Sequence, residues 1–147
     1  MDLKTFMLAD HAEAANGKLY LTGGCWDTLF TGTIPAVQPH LSIVVALTVP
    51  WQSTNERHAV QLELVDSDGH PELPQPMNTE FETGRPPGMR PGDSNNVLMV
   101  FNVNGLTLPT EGTYEWVLYI DGAEMGRQAL KVIKLDLPAA TGSAPAA

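Results

Sequence analysis

Asp66, Asp68, His70 and Glu72 occupy alternate positions of one short segment, and carboxylates at this spacing can bind Ca²⁺. Asp66-Ser-Asp68-Gly69 is half of a calcium-loop pattern. The continuation departs from that pattern. Pro71 and Pro74 follow, and Met77 stands at the twelfth position, where a glutamate would close the loop. The segment therefore reads as an exposed turn, with Asp66, Asp68 and His70 as weak metal candidates.

Three further groups could carry chemistry. Asp10, His11 and Glu13 could polarise a water or hold a metal if a second histidine approached, and His40 and His58 qualify only if the fold brings them near. The spacings HxH and HExxH do not occur, so no zinc site is expected. Cys25, between Gly24 and Trp26, lacks a neighbouring histidine or cation to activate it, and is expected to be a small buried apolar residue. Gly84-Arg-Pro-Pro-Gly-Met-Arg-Pro-Gly92 looks most like a recognition loop. It holds Arg85 and Arg90, two of only eight basic residues, while Met89 offers an adaptable apolar contact and the prolines limit its freedom. Nucleophile elbows, phosphate loops and paired catalytic acids are missing, so the chain does not read as an enzyme, and no cofactor is implied.

The elements that must position these residues are strands. Tyr114, Trp116, Leu118 and Ile120 alternate, followed by the hairpin pair Asp121-Gly122. Leu41, Ile43, Val45, Leu47 and Val49 share one face, with Val44 and Ala46 apolar on the other, which predicts a central strand. Arg57 to Val65, Asn96 to Val103 and Arg127 to Leu135 alternate as well, and Thr79 to Thr83 is a possible short strand. Leu3 to Ala9 predicts a first strand, with Phe6 and Leu8 opposite Leu3, Met7 and Ala9. The Ala-rich His11 to Ala15 could form a helical turn before the Asn16-Gly17 hairpin signal. Lys18 to Thr22 and Trp26 to Phe30 are strands interrupted at Gly23-Gly24 by a bulge or a bend between sheets, and Thr31 to Pro39 reads as a loop.

This pattern predicts an all-β fold, a single immunoglobulin-like antiparallel β-sandwich with Greek-key connections and about seven to nine strands. The domain is expected over residues 1–137, with residues 138–147 a low-complexity disordered tail. Tyr114 is placed to bond back to the corner made by Pro109 and Gly112. Trp116 stands where antibody-type domains have a cysteine.

Composition narrows the partners. A net charge of −9 over 147 residues argues against nucleic acid and anionic lipid, both of which need clustered Lys and Arg. The single cysteine excludes an intrachain disulfide. The N-terminus lacks the charged and apolar regions of a signal peptide, and no apolar run approaches the ~18–20 residues of a membrane span. The cytoplasm, or a particle assembled there, is the expected location.

The block Leu8-Ala-Asp-His-Ala-Glu through Asn16-Gly-Lys-Leu-Tyr-Leu-Thr-Gly-Gly-Cys-Trp-Asp27 resembles the opening of an uncharacterised bacterial domain family. Gly112-x-Tyr114 and Asp121-Gly122 agree with its far end, and His11 and Cys25 depart from its small residues. The resemblance implies a small β-sandwich and supplies no catalytic residue. The leading functional expectation is a non-enzymatic module that binds another protein or assembles through Arg85, Met89 and Arg90, with a homo-oligomer left open as the assembly. A structural or decoration component of a phage virion or other particle is the alternative, and a hydrolase or metal enzyme a distant third.

Overall fold

A computed structural model describes residues 1–136. The expected tail therefore lies outside the described residues. Among these residues nine strands form two sheets. They are β1 (Asp2–Ala15), β2 (Lys18–Trp26), β3 (Thr28–Thr31), β4 (Ala36–Pro50), β5 (Arg57–Val65), β6 (Met77–Glu82), β7 (Ser94–Leu108), β8 (Gly112–Ile120) and β9 (Ala123–Lys134). One sheet has the order β2-β1-β4-β7, the other β3-β9-β8-β5-β6. The two pack face to face as a sandwich.

The alternating residues fill the space between the sheets. Leu41, Ile43, Val45, Leu47 and Val49 of β4 are buried, and so are Tyr114, Trp116, Leu118 and Ile120 of β8. As predicted, β4 is central, paired with β1 on one side and β7 on the other. Both hairpin pairs adopt the expected turn, with positive φ at both central residues: 52° and 72° at Asn16-Gly17, 51° and 82° at Asp121-Gly122. The Tyr114 corner forms. The hydroxyl donates to the Thr110 carbonyl at 2.9 Å and accepts the Thr110 N–H at 3.2 Å.

Several sequence expectations are corrected. His11 to Ala15 is not helical but continues β1, because the hairpin pairs it residue by residue with Lys18 to Thr22. Cross-strand bonds outweigh the local helix preference of alanine. Leu3 faces the main core alongside Phe6 and Leu8, because Lys4 is an extra residue against β4 and reverses the alternation. The loop expected over Thr31 to Pro39 ends early, since β4 begins at Ala36. The sandwich is not wholly antiparallel: β3 runs parallel to β9. The Gly23-Gly24 interruption is both a bulge and a hand-over. Cys25 is the extra residue between the Ala9–Gly24 and Leu8–Trp26 pairs, and the chain crosses to the other sheet at Asp27.

A second, smaller apolar cluster lies on the outer face of the first sheet. Ala9, Ala12 and Val44 are buried there, with Met7, Leu19, Leu98 and Val100 packed around them. The β1–β2 hairpin covers that face, and the Ala12 N–H donates to the fully buried Ser42 Oγ at 3.1 Å.

Candidate functional site

The Asp66 turn closes the end of β5. Asp66 Oδ1 accepts the N–H groups of Asp68 and His70 at 2.9 and 2.8 Å, and its Oδ2 lies 3.3 Å from His70 Nδ1. Ligand atoms of Asp66, Asp68 and His70 all come within 4.8 Å of one another, so the fold gathers the three weak metal candidates and leaves Glu72 outside the cluster. The His70 N–H holds the Asp66 carboxyl below its ordinary range against a smaller desolvation effect, and the Asp68 N–H and the His70 ring add to it. The carboxylate is thus engaged in making the turn.

The fold also brings His11 to His40, with ring centroids 5.9 Å apart. His40 Nδ1 lies 2.8 Å from Asn104 Oδ1, and its Nε2 lies 3.4 Å from Ser42 Oγ. This Ser–His–Asn sequence has the outline of a nucleophile relay. Its serine is unsuited to attack. Ser42 is wholly buried and donates its proton to Asn102 Oδ1 at 2.7 Å, away from the imidazole. The group fastens the covering hairpin to β4 and β7. His58 lies on the other sheet. Its Nδ1 meets Asp121 Oδ2 at 2.7 Å and its Nε2 meets the Ser53 carbonyl at 2.7 Å.

Cys25 corrects its expectation, being exposed. As the bulged residue it has φ 63°, and its Sγ lies 3.6 Å from Met7 Sδ. A bulge re-aims its side chain away from the sheet interior, which alternation alone could not anticipate.

The Pro/Arg loop joins β6 to β7 and so bridges the two sheets. Arg85 is tied down. Its guanidinium lies 3.7 Å from the centre of the Trp51 ring, Nε donates to Thr54 Oγ1 at 2.7 Å, and a terminal nitrogen donates to the Trp51 carbonyl at 3.1 Å. Met89 is half-buried and Arg90 exposed. The Arg90 backbone N–H is held by Asp93 Oδ2 at 2.8 Å.

Beside this loop lies the open side of the sandwich. Among the described residues no strand pairs with the outer edge of β7 or of β6. A groove of about 490 Å³ runs between them, lined by Met77, Asn78, Thr79 and Glu80 of β6 and by Met99, Val100 and Phe101 of β7. Over its fifteen residues β7 carries neither a charge nor a proline. Val97, Leu98, Met99 and Val100 are each half-buried.

Residues 4–133 match DUF6941, a family of unknown function. The chain belongs to that family. The match runs from the start of β1 to the end of β9 and so spans the sandwich. No curated protein matches the chain. Among the described residues of this DUF6941 domain, no helix is long and apolar enough to cross a membrane. The β7 edge is the feature that sequence reasoning passed over. The signal was present, as an uncharged stretch from Ser94 to Leu108 in a chain of net charge −9, but it acquires meaning only once β7 is known to be an edge.

Proposed function

We propose that this DUF6941 domain is a non-enzymatic protein-binding or assembly module that works through the open β6–β7 side. The observation that carries the reading is the long, uncharged, proline-free edge of β7. An exposed edge offers a row of backbone N–H and C=O groups to another strand, and proteins that must stay single blunt such edges with charge, proline or bulges. Met89 and Arg90 sit on the loop at one end of this side and extend the contact surface, while Arg85 anchors that loop. The exposed thiol of Cys25 suits a reducing compartment such as the cytoplasm.

A photoreactive amino acid placed at Thr79, an exposed residue lining the groove, tests the reading. It should give discrete protein adducts in cells that are lost when Val100→Lys is added. The same probe at Thr113, exposed on β8, should give none of them. Equal adducts at both positions, or adducts indifferent to Val100→Lys, would overturn it.

A further inference from the structure

We infer that the occupant of the open side is a second copy of this chain, joined by antiparallel pairing of two β7 edges about a twofold axis. The inference rests on the reading of β7 as the contact strand and names its partner. Three of the four sheet edges carry devices against pairing. β2 has a bulge at Cys25 after two glycines, β3 is only four residues long, and β6 presents Glu80 and Glu82. β7 has no such device over residues 94–104, before Gly105, at φ 66°, breaks the extended run.

Charge singles out the same edge. Two copies at net charge −9 repel each other, and like charges placed opposite one another destabilise a strand pair. Among the described residues β7 is the one long edge that two copies can bring together with no charged side chain on the paired strands. An antiparallel strand paired with its own copy is self-complementary, as a twofold interface requires. Val97 to Phe101 is apolar on both faces, so each copy would supply cross-strand neighbours above and below the joined sheet. The groove along Met99, Val100 and Phe101 leaves room beside the edge for the incoming strand.

Light scattering on the purified chain, together with a cysteine scan, tests the inference. The wild type should have about twice the 15.9 kDa chain mass, falling on dilution. Val100→Lys should give the single-chain mass with an unchanged circular dichroism spectrum; should it fail to fold, Thr107→Lys, at an exposed position of β7, is the second variant. In a Cys25→Ser background, single cysteines from Met99 to Val103 should form a disulfide dimer at the residue on the axis and progressively less to either side. Directly opposed residues there lie ~4.5–5.5 Å apart, within disulfide reach. A wild type that stays single at all concentrations, a dimer unchanged by both lysine variants, or a flat cysteine scan overturns self-pairing. If the wild type is single but the Thr79 probe still captures a different protein in a Val100-dependent way, self-pairing fails and the binding-module reading stands. If neither a dimer nor such an adduct appears, both fall.

Discussion

His58 Nδ1 and Asp121 Oδ2 meet at 2.7 Å across the β5–β8 boundary, with the imidazole almost wholly buried. The other ring nitrogen faces a carbonyl, that of Ser53, so both nitrogens point at acceptors, an arrangement that favours the protonated ring. Burial works against the charge, but the bonds to Asp121 and Ser53 and the nearby carboxylates of Asp121 and Glu56 prevail and raise the His58 pKa. The same bond, with the Ala59 N–H, lowers the pKa of Asp121. The signs differ. The contribution of His58 is complete below its unfolded value of about 6.5 and is lost as pH rises through its raised folded value. That of Asp121 is complete above about 3.9 and is lost as pH falls through its lowered folded value. Melting temperature should therefore be highest between about pH 4 and 6.5 and decline on both sides. Asp121→Asn keeps a turn-compatible residue before Gly122 and should flatten both limbs, at a cost of about 1 kcal/mol near pH 6 because the carboxylate is half-exposed. A pH series of thermal melts on both proteins is the check.

The corner and the buried indole should separate by size of effect. Tyr114→Phe removes the group that bonds the Thr110 N–H, hydroxyl and carbonyl, and should cost about 1–2 kcal/mol. Trp116→Ala leaves a cavity between the sheets and should cost about 3–5 kcal/mol. Trp116→Phe should cost clearly less than the alanine change. Among the described residues the indole N–H has no hydrogen-bond partner, so its loss removes an unsatisfied buried donor along with part of the volume. Urea denaturation of the three variants gives the ranking.

Much of the fold was legible because a strand with one buried face writes its pairing into alternate residues. Leu41 to Val49 and Tyr114 to Ile120 show it, and Asn16-Gly17 and Asp121-Gly122 end their strands with residues suited to positive φ. What stayed hidden depends on neighbours distant in the chain. Alternation reports which faces are covered, not what lies beside a strand, so the edge position of β7 could not be read. The approach of His11 to His40 arises from β1–β4 pairing, and the anchoring of Arg85 on Trp51 from a loop folding back over 34 residues. Lys4 and Cys25 each add one residue to a strand: the first reversed the facing of Leu3 that strict alternation implied, and the second exposed a cysteine expected to be buried.

The two arginines of the Pro/Arg loop should respond differently. Arg85→Ala loses the stack on Trp51 and two hydrogen bonds, and should cost about 1–2 kcal/mol. Arg85→Lys should recover little of this, since an ammonium cannot reproduce a planar group that stacks and donates in a fixed fork. Arg90→Ala should leave stability within about 0.5 kcal/mol, its side chain being exposed. Equal losses at the two positions in chemical denaturation would show that Arg85 does not anchor the loop.

Cys25 joins an exposed thiol to a strained backbone, and both are measurable. A maleimide should modify the native protein at one site without denaturant, because the bulge turns the side chain outward. Protection until unfolding would contradict the exposure. A non-glycine residue at φ 63° carries a steric cost of about 1–2 kcal/mol that glycine escapes, while glycine also gains chain entropy in the unfolded state. These effects oppose each other, so Cys25→Gly should leave stability between unchanged and about 1 kcal/mol higher. Gly23 offers the converse. Its φ is 62°, and a side chain there would collide with the Asp10 carboxylate, so Gly23→Ala combines backbone strain with a clash. It should destabilise the protein by at least about 1–2 kcal/mol. Opposite responses from two residues only two positions apart, at and just before the bulge, read from their melting temperatures, would show that local backbone conformation governs this turn between the sheets.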